Sequence, residues 1–400
     1  MREMKSSGTP WIGEVPTSWS LVRFKDKYQS VKEIAREKSG EFERLALTLN
    51  GVIKRPKDDS EGLQPKEFDT YQILRENDFV FKMIDLQNIS TSRVGLSPYT
   101  GLVSPAYLRF SPKKEGQDNR FVYYYLMSLY YNCVFNNLGG NGVRSALNAT
   151  DMGEFIIPFP SDVEQQQICN YLEKQNKKVD ALIANVQTQI EKLKAYKQSM
   201  ITEAVTKGLN ANVPMKDSGI NWIGLAPSHW DIIQAKYCIN INHGSDPKTE
   251  GNIPVYGSGA ESFKTCGEYK EGPVVLVGRK GATLHIPHYI EGRYWNVDTA
   301  FDVTAHENCN IKFYYYLATA FDYKYYMSQT TLPGMTQFAY RNMYLPIPKL
   351  DEQEIIVRYL DQKCEQFNQL IAIKQSKIEK LEHYKKSIIY EYVTGKKEVQ

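Results

Sequence analysis

Several patterns that would announce a chemistry are missing from this sequence. No run approaches the roughly 18 consecutive apolar residues that a membrane-crossing helix needs, and the opening MREMKSSGTP has no apolar signal region. A soluble, non-secreted, cytoplasmic protein with no membrane partner is therefore expected. The six cysteines, Cys133, Cys169, Cys238, Cys266, Cys309 and Cys364, are scattered and form no C-x-x-C pair. That spacing suggests neither a disulfide framework nor a zinc cluster, so they read as ordinary thiols of a reducing compartment. Gly267 and Gly272 have the spacing of a phosphate-binding loop, but Pro273 stands where its lysine belongs. There is no G-x-G-x-x-G after a strand, no H-E-x-x-H, no G-x-S-x-G and no Asn/Asp-Pro-Pro-aromatic tetrapeptide of the amino-methyltransferase kind. His285 and His288 straddle Pro287, which fits a surface turn better than a helical metal pair. No catalytic centre, metal site or directly bound cofactor is expected.

A strong charge is absent too. The formal net charge of +3 does not by itself announce a polyanion partner, although a locally basic surface can hide in a nearly neutral total. With 42% hydrophobic and 24% charged residues over 400 positions, the chain has an ordinary globular balance and is long enough for two or three cores. Its 28 tyrosines suit aromatic-rich cores or a polar, aromatic binding surface.

What the chain does have is repetition. WIGEVPTSW at 11–19 returns as WIGLAPSHW at 222–230. Residues 164–206 align without a gap to 352–394, with 20 of 43 positions identical, including the whole of IEKL. Between these framing elements the two copies agree only in outline: FVYYYL (121–126) and FYYYL (313–317), then the proline clamps IIPFP (156–160) and YLPIP (344–348). A retained frame around a diverged middle is what selection for two different targets leaves; drift in an unimportant duplicate would leave it too, but the held frame favours selection.

The 43-residue stretch holds no Gly or Pro and predicts a helix of about 65 Å. Ser161-x-x-Glu164 and Asp351-x-x-Glu354 are candidate capping boxes, and Gly208 and Gly395 are candidate stops. Apolar residues recur at heptad spacing. On the first helix Val179, Val186, Leu193 and Met200 form one row and Leu182 and Tyr196 the next, with Ile183 and Ile190 widening the stripe. The second helix offers Phe367, Leu381 and Ile388 with Leu370 and Tyr384, and places Lys374 and Lys377 in the seam. Pairing of the two helices is expected, and chain order through an intervening compact domain makes the pair antiparallel. The expected architecture is α+β: two pseudo-symmetric α/β recognition domains, 1–160 and 209–350, separated by long coiled-coil helices at 161–208 and 351–400.

Loops that set Arg or Lys beside Gly, Ser and Tyr are candidate DNA contacts, because Gly admits a phosphate close to the backbone and Arg, Asn and Gln can read base edges. In the first domain they contain Lys54, Arg55, Arg93, Asn141 and Arg144. In the second they contain Ser258, Arg279, Lys280, Arg293, Gln337, Tyr340 and Arg341, with Arg279-Lys280 between two glycines the foremost.

Taken together, the two W-I-G openings, YQILRENDFVF (71–81), NIPVYGSGA (252–260), VVLVGRKGA (274–282), the proline clamps and the EQQ and EQE helices ending in VT resemble the specificity subunit of type I restriction-modification systems over essentially the whole chain. The resemblance implies a non-catalytic reader of double-stranded DNA. Each target-recognition domain would grip one half of an asymmetric, interrupted site, while the helix pair sets the gap and docks partners. The implied partners are two modification subunits, which methylate adenine from S-adenosylmethionine, and restriction subunits that use ATP and Mg. Two other readings stay open: a coiled-coil scaffold for two protein partners, which predicts no salt-sensitive DNA binding, and a stand-alone DNA-modifying enzyme, which the missing motifs disfavour.

Overall fold

A computed structural model describes residues 2–49, 51–59, 67–84, 86, 93–138, 146–259, 261–327 and 333–399. The chain divides into two units, Met1–Asn185 with Lys377–Gln400, and Val186–Ser376.

In the first unit, two four-stranded sheets carry the globular domain. One runs in the order Gly51–Arg55, Arg44–Thr48, Gly101–Val103, Gln72–Leu74; the other runs Tyr28–Ser30, Leu108–Pro112, Phe79–Phe81, Val94–Leu96. YQILRENDFVF is thus not one strand: it turns at Asn77, whose φ is +66°, and serves both sheets. The Asp78 carboxylate fixes that turn by accepting from the Arg75 N–H (2.9 Å) and from the Arg109 guanidinium (2.5 Å). Arg109 and Asp78 are both buried, so removing Arg109 would strip a carboxylate in the interior of its ion-pair partner. Phe24, Tyr28, Phe79, Phe81 and Phe110 form an aromatic core with edge and stacked contacts of 4.6–6.1 Å. Against it the helix Arg120–Tyr131 buries Phe121, Val122, Tyr125, Leu126 and Leu129. The tyrosine run therefore serves packing: Tyr125 is buried and Tyr123, Tyr124, Tyr130 and Tyr131 are half-buried.

The second unit repeats this topology strand for strand. Its sheets run Lys264–Cys266, Ile253–Tyr256, Arg293–Asn296, Lys270–Glu271, and Ile239–His243, Ala300–Ala305, Val274–Gly278, His288–Ile290. Among the described residues, each unit has one parallel strand pair, Arg44–Thr48 with Gly101–Val103 and Ile253–Tyr256 with Arg293–Asn296. Residues 294–303, YWNVDTAFDV, split between the two sheets, as Gly101–Val103 and Leu108–Pro112 do in the first unit. The helix Ile311–Ala320 packs Phe313, Tyr314, Tyr316 and Leu317 into the core.

The doubled W-I-G opening has a physical cause in each unit. Trp19 and Trp230 are buried, and each indole N–H donates to the glutamate at the start of a long helix: Glu164 at 3.0 Å, Glu352 at 3.1 Å. The next residues, Gln165 and Gln353, donate to the last clamp carbonyls, Pro160 and Pro348, both at 2.9 Å. The clamp strands Ile156–Phe159 and Tyr344–Ile347 pair antiparallel with the strands that follow the tryptophans, Ser20–Arg23 and Asp231–Gln234, in equivalent register. Gly395 (φ +70°) and Gly208 (φ +74°) close the long helices as expected; a side chain on Gly395 would collide with Pro16, and one on Gly208 would press on the Trp230 ring. Brace, clamp, helix start and helix stop are therefore one packed knot, built twice.

The long helices are Asp162–Lys207 and Leu350–Val393. The first is capped by Ser161, whose hydroxyl accepts from the Glu164 N–H at 3.3 Å. Glu164 does not reciprocate, because its carboxylate is spent on Trp19 and Arg2. Asp351 is not a cap: the second helix starts one residue earlier, at Leu350, so the expected box there is not formed.

In the first unit Tyr171 packs on Tyr392 (4.5 Å) and Lys385 reaches Asp180 (2.7 Å). In the second, Tyr196 meets Phe367 (5.5 Å), Lys197 reaches Asn368 (2.8 Å) and Lys374 reaches Gln189 (2.6 Å). Within each unit, numbers rising along one helix meet numbers falling along the other, so the pair is antiparallel. Val179, Val186, Ile190 and Ile388 are buried and Leu193, Phe367 and Leu381 half-buried, as a seam requires. Leu182, Tyr196, Leu370 and Tyr384 are not seam residues; they are 47–65% exposed. The second row follows the first by four residues rather than three, through Ile183, Ile190 and Lys197, and the expected row was displaced by one. Lys374 does enter the seam, hydrogen-bonded to Gln189, whereas Lys377 is exposed.

Candidate nucleic-acid interface

The second unit gathers its basic loop around a single carboxylate. Arg279 directly follows the strand Val274–Gly278, its N–H donating to Thr299 O at 2.8 Å. Its Nη1 donates to Asp298 O at 3.1 Å and to the Asp298 carboxylate at 3.4 Å, and Lys280 Nζ lies 3.7 Å from the same carboxylate. Gly281, at φ +110°, turns the chain, and its N–H donates to Pro333 O at 3.0 Å. Met335 N–H donates to Arg279 O at 2.9 Å, and the Ser258 and Thr283 hydroxyls are bonded at 3.2 Å. Ser258 thus joins the consecutive pair Arg279 and Lys280 in one loop cluster. Asp298 holds the two cations in place while leaving both partly exposed.

The other candidates in this unit divide. Arg341 is exposed on the short helix Gln337–Asn342. Arg293 lies over the Tyr269 ring at 4.5 Å, in the other sheet. Tyr340 is fully buried and donates to Gly278 O at 2.8 Å, so it anchors the cluster rather than reading a base. Gln337 donates to Ile241 O at 2.6 Å, which commits its amide to the fold. GMTQFAYRN is a capped helix, with Thr336 Oγ1 accepting from the Ala339 N–H, and not the loop that its Gly suggested.

In the first unit Lys54 is exposed, paired with Glu43 at 2.5 Å and set over the Tyr99 ring at 5.1 Å. Arg55 lies 3.7 Å from Asp59. Arg93 is fully buried, its Nη2 donating to Leu86 O at 3.3 Å, and is withdrawn as a DNA contact: the backbone bond from Lys82 N–H to Arg93 O at 2.9 Å extends the sheet through it and turns its side chain inward. Asn141 and Arg144 lie outside the described residues.

Among the described residues, no group of three or more His, Cys, Asp or Glu is placed to hold a metal, and no helix is long and apolar enough to cross a membrane. His288 sits on a strand against the Tyr256 ring, and burial lowers its pKa. The buried thiols Cys169 and Cys309 are pushed up to about 12 by desolvation, which makes them poor nucleophiles.

Comparison with known proteins agrees with this architecture. The family model for the type I restriction modification DNA specificity domain matches twice, at residues 30–192 and 231–383, well over half of the chain. The chain is 23% identical to the type I restriction enzyme MjaVIII specificity subunit of Methanocaldococcus jannaschii, over 96% of this chain and 93% of that one. It is also 23% identical to the MjaX counterpart from the same organism, over 96% and 95%. A solved chain from work on complex assembly and conformational transition of the type I R-M system has the same fold, with a TM-score of 0.69 at 14% identity, covering 95% of this chain and 98% of that one. With two matched specificity domains on one strand order, the chain belongs to the type I restriction-modification specificity subunits.

Proposed function

We propose that the chain is the non-catalytic DNA reader of its complex. Each unit's recognition domain contacts one half of an asymmetric, interrupted site, and the helix pair fixes the gap and docks two modification subunits and the restriction subunits. S-adenosylmethionine, ATP and Mg then belong to those partners.

One observation carries this reading: the same strand order occurs twice, while the exposed basic residues sit at different places on it. Lys54 over Tyr99 occupies the first unit, Arg279 and Lys280 around Asp298 the second. One scaffold with two sets of exposed cations, Lys54 on the strand Gly51–Arg55 and Arg279–Lys280 in a turn, suits two different half-sites, and such cations suit phosphate and base-edge contact.

The test is binding of the assembled methyltransferase complex to a duplex carrying its site, as a function of salt. A reader making six or more phosphate contacts is expected to lose about a thousandfold in affinity between roughly 50 and 200 mM salt. Affinity independent of salt would favour the protein scaffold instead.

A further inference from the structure

Phe338 is 77% exposed, an unusual position for a phenyl ring on an ordered helix. We propose that it reads a thymine in the half-site held by the Val186–Ser376 unit, packing its ring against the 5-methyl group in the major groove. The proposal deepens the DNA-reading role above and rests on it.

The geometry places Phe338 with the basic cluster. Tyr340, two residues on and about 200° around the helix, is buried and tied to Gly278 O, so Phe338 faces away from the core. Arg341, three residues on, shares its face. The segment leading into the helix is stitched to the Arg279–Lys280 turn through Met335 N–H to Arg279 O, Gly281 N–H to Pro333 O and the Lys280–Gly334 bridge. An apolar ring thus shares a helix face with Arg341 and follows, three residues on, the segment tied to the Arg279–Lys280 turn, a composition suited to DNA, where cations meet phosphates and apolar groups meet thymine methyls. A protein partner would more naturally be met by a wider apolar patch.

The first unit supplies the contrast. The helix Ala149–Gly153 precedes its clamp strand as Gln337–Asn342 does here. The equivalent of buried Tyr340 is buried Met152, but the equivalent of Phe338 is exposed Thr150. The anchor stays apolar while the outward residue changes, as expected where two domains read different bases.

The assembled methyltransferase complex would be titrated with duplexes carrying its mapped methylation site, each thymine of this half-site replaced in turn by uracil. With the wild-type chain, one replacement is expected to weaken binding about fourfold, the value of one buried methyl. Phe338→Ala is expected to weaken binding to the thymine duplex by at least as much and to be indifferent to uracil at that one position, while Phe338→Leu keeps part of the discrimination. A uracil penalty that persists at every position in Phe338→Ala overturns the proposal, as does the absence of any penalty in the wild type. Wild-type DNA affinity in Phe338→Ala with a loosened subunit complex would assign the ring to a protein partner. Failure of the wild-type complex to bind its own duplex would overturn the DNA-reading role itself.

Discussion

Replacing Trp230 by alanine is expected to destabilise the second unit by about 3–5 kcal/mol, the range for removing a fully buried large aromatic side chain. Two losses combine. The indole fills the space beside Gly208, whose left-handed backbone turns the chain against the ring, and a cavity there cannot collapse without moving the helix end. Glu352 also loses the indole N–H at 3.1 Å and keeps His229 at 3.0 Å. Trp230→Phe separates the terms: most of the packing survives and the unmade hydrogen bond costs about 1–3 kcal/mol. Trp19→Ala should act the same way on the first unit through Glu164 and Gly395. Denaturant unfolding of the purified chain, with limited proteolysis to show which unit opens, provides the check. An unchanged midpoint for Trp230→Ala would mean that the repeated opening is not a structural brace.

Arg279→Ala is expected to weaken specific DNA binding by about 1–3 kcal/mol, roughly 5- to 150-fold, and to relax selectivity at one or two positions of a single half-site. Both hydrogen bonds to Asp298 leave from Nη1, on one side of the planar fork, and the side chain remains about one-third exposed, so the bonds to Asp298 do not use Nε or Nη2. Lys280→Ala should instead weaken binding almost equally on all sequences and flatten the salt dependence, since an ammonium acts on phosphate as a point charge. Competition binding against a panel of single-base site variants distinguishes the two. Equal, sequence-independent losses for both variants would place Arg279 on the backbone rather than on a base.

The frame was legible in the sequence because it is written twice. Duplicated tryptophans, clamps and helix stops pointed to the knot, although the partners of Trp19 and Trp230 lie about 145 and 122 residues away and only the fold reveals them. Helix pairing and direction followed from periodicity and chain order, but a one-residue choice of row put Leu182, Tyr196, Leu370 and Tyr384 in a seam where Ile183, Ile190 and Lys197 stand. Apolar content alone could not decide, since a lysine can lay its stem in a seam and a leucine can face water.

The candidate contacts were less legible, because a basic residue beside glycine looks the same whether it faces solvent or the core. Arg93 turned inward and Tyr340 became an anchor. Phe338 lay within a segment read as a loop. Once Thr336 is seen as a helix cap, the 100° step per residue puts Tyr340 and Phe338 on opposite faces, and the exposed ring becomes conspicuous.

The central claim is that two copies of one scaffold read two different half-sites. Its most direct test is to map methylated adenine in DNA from cells expressing the modification partner with this chain, and with a variant in which the 252–343 segment is exchanged for that of another specificity subunit. The account predicts a two-part asymmetric motif in which only one half changes while the other half and the gap persist. A motif that changes in both halves, or a methylation pattern indifferent to this chain, would contradict it.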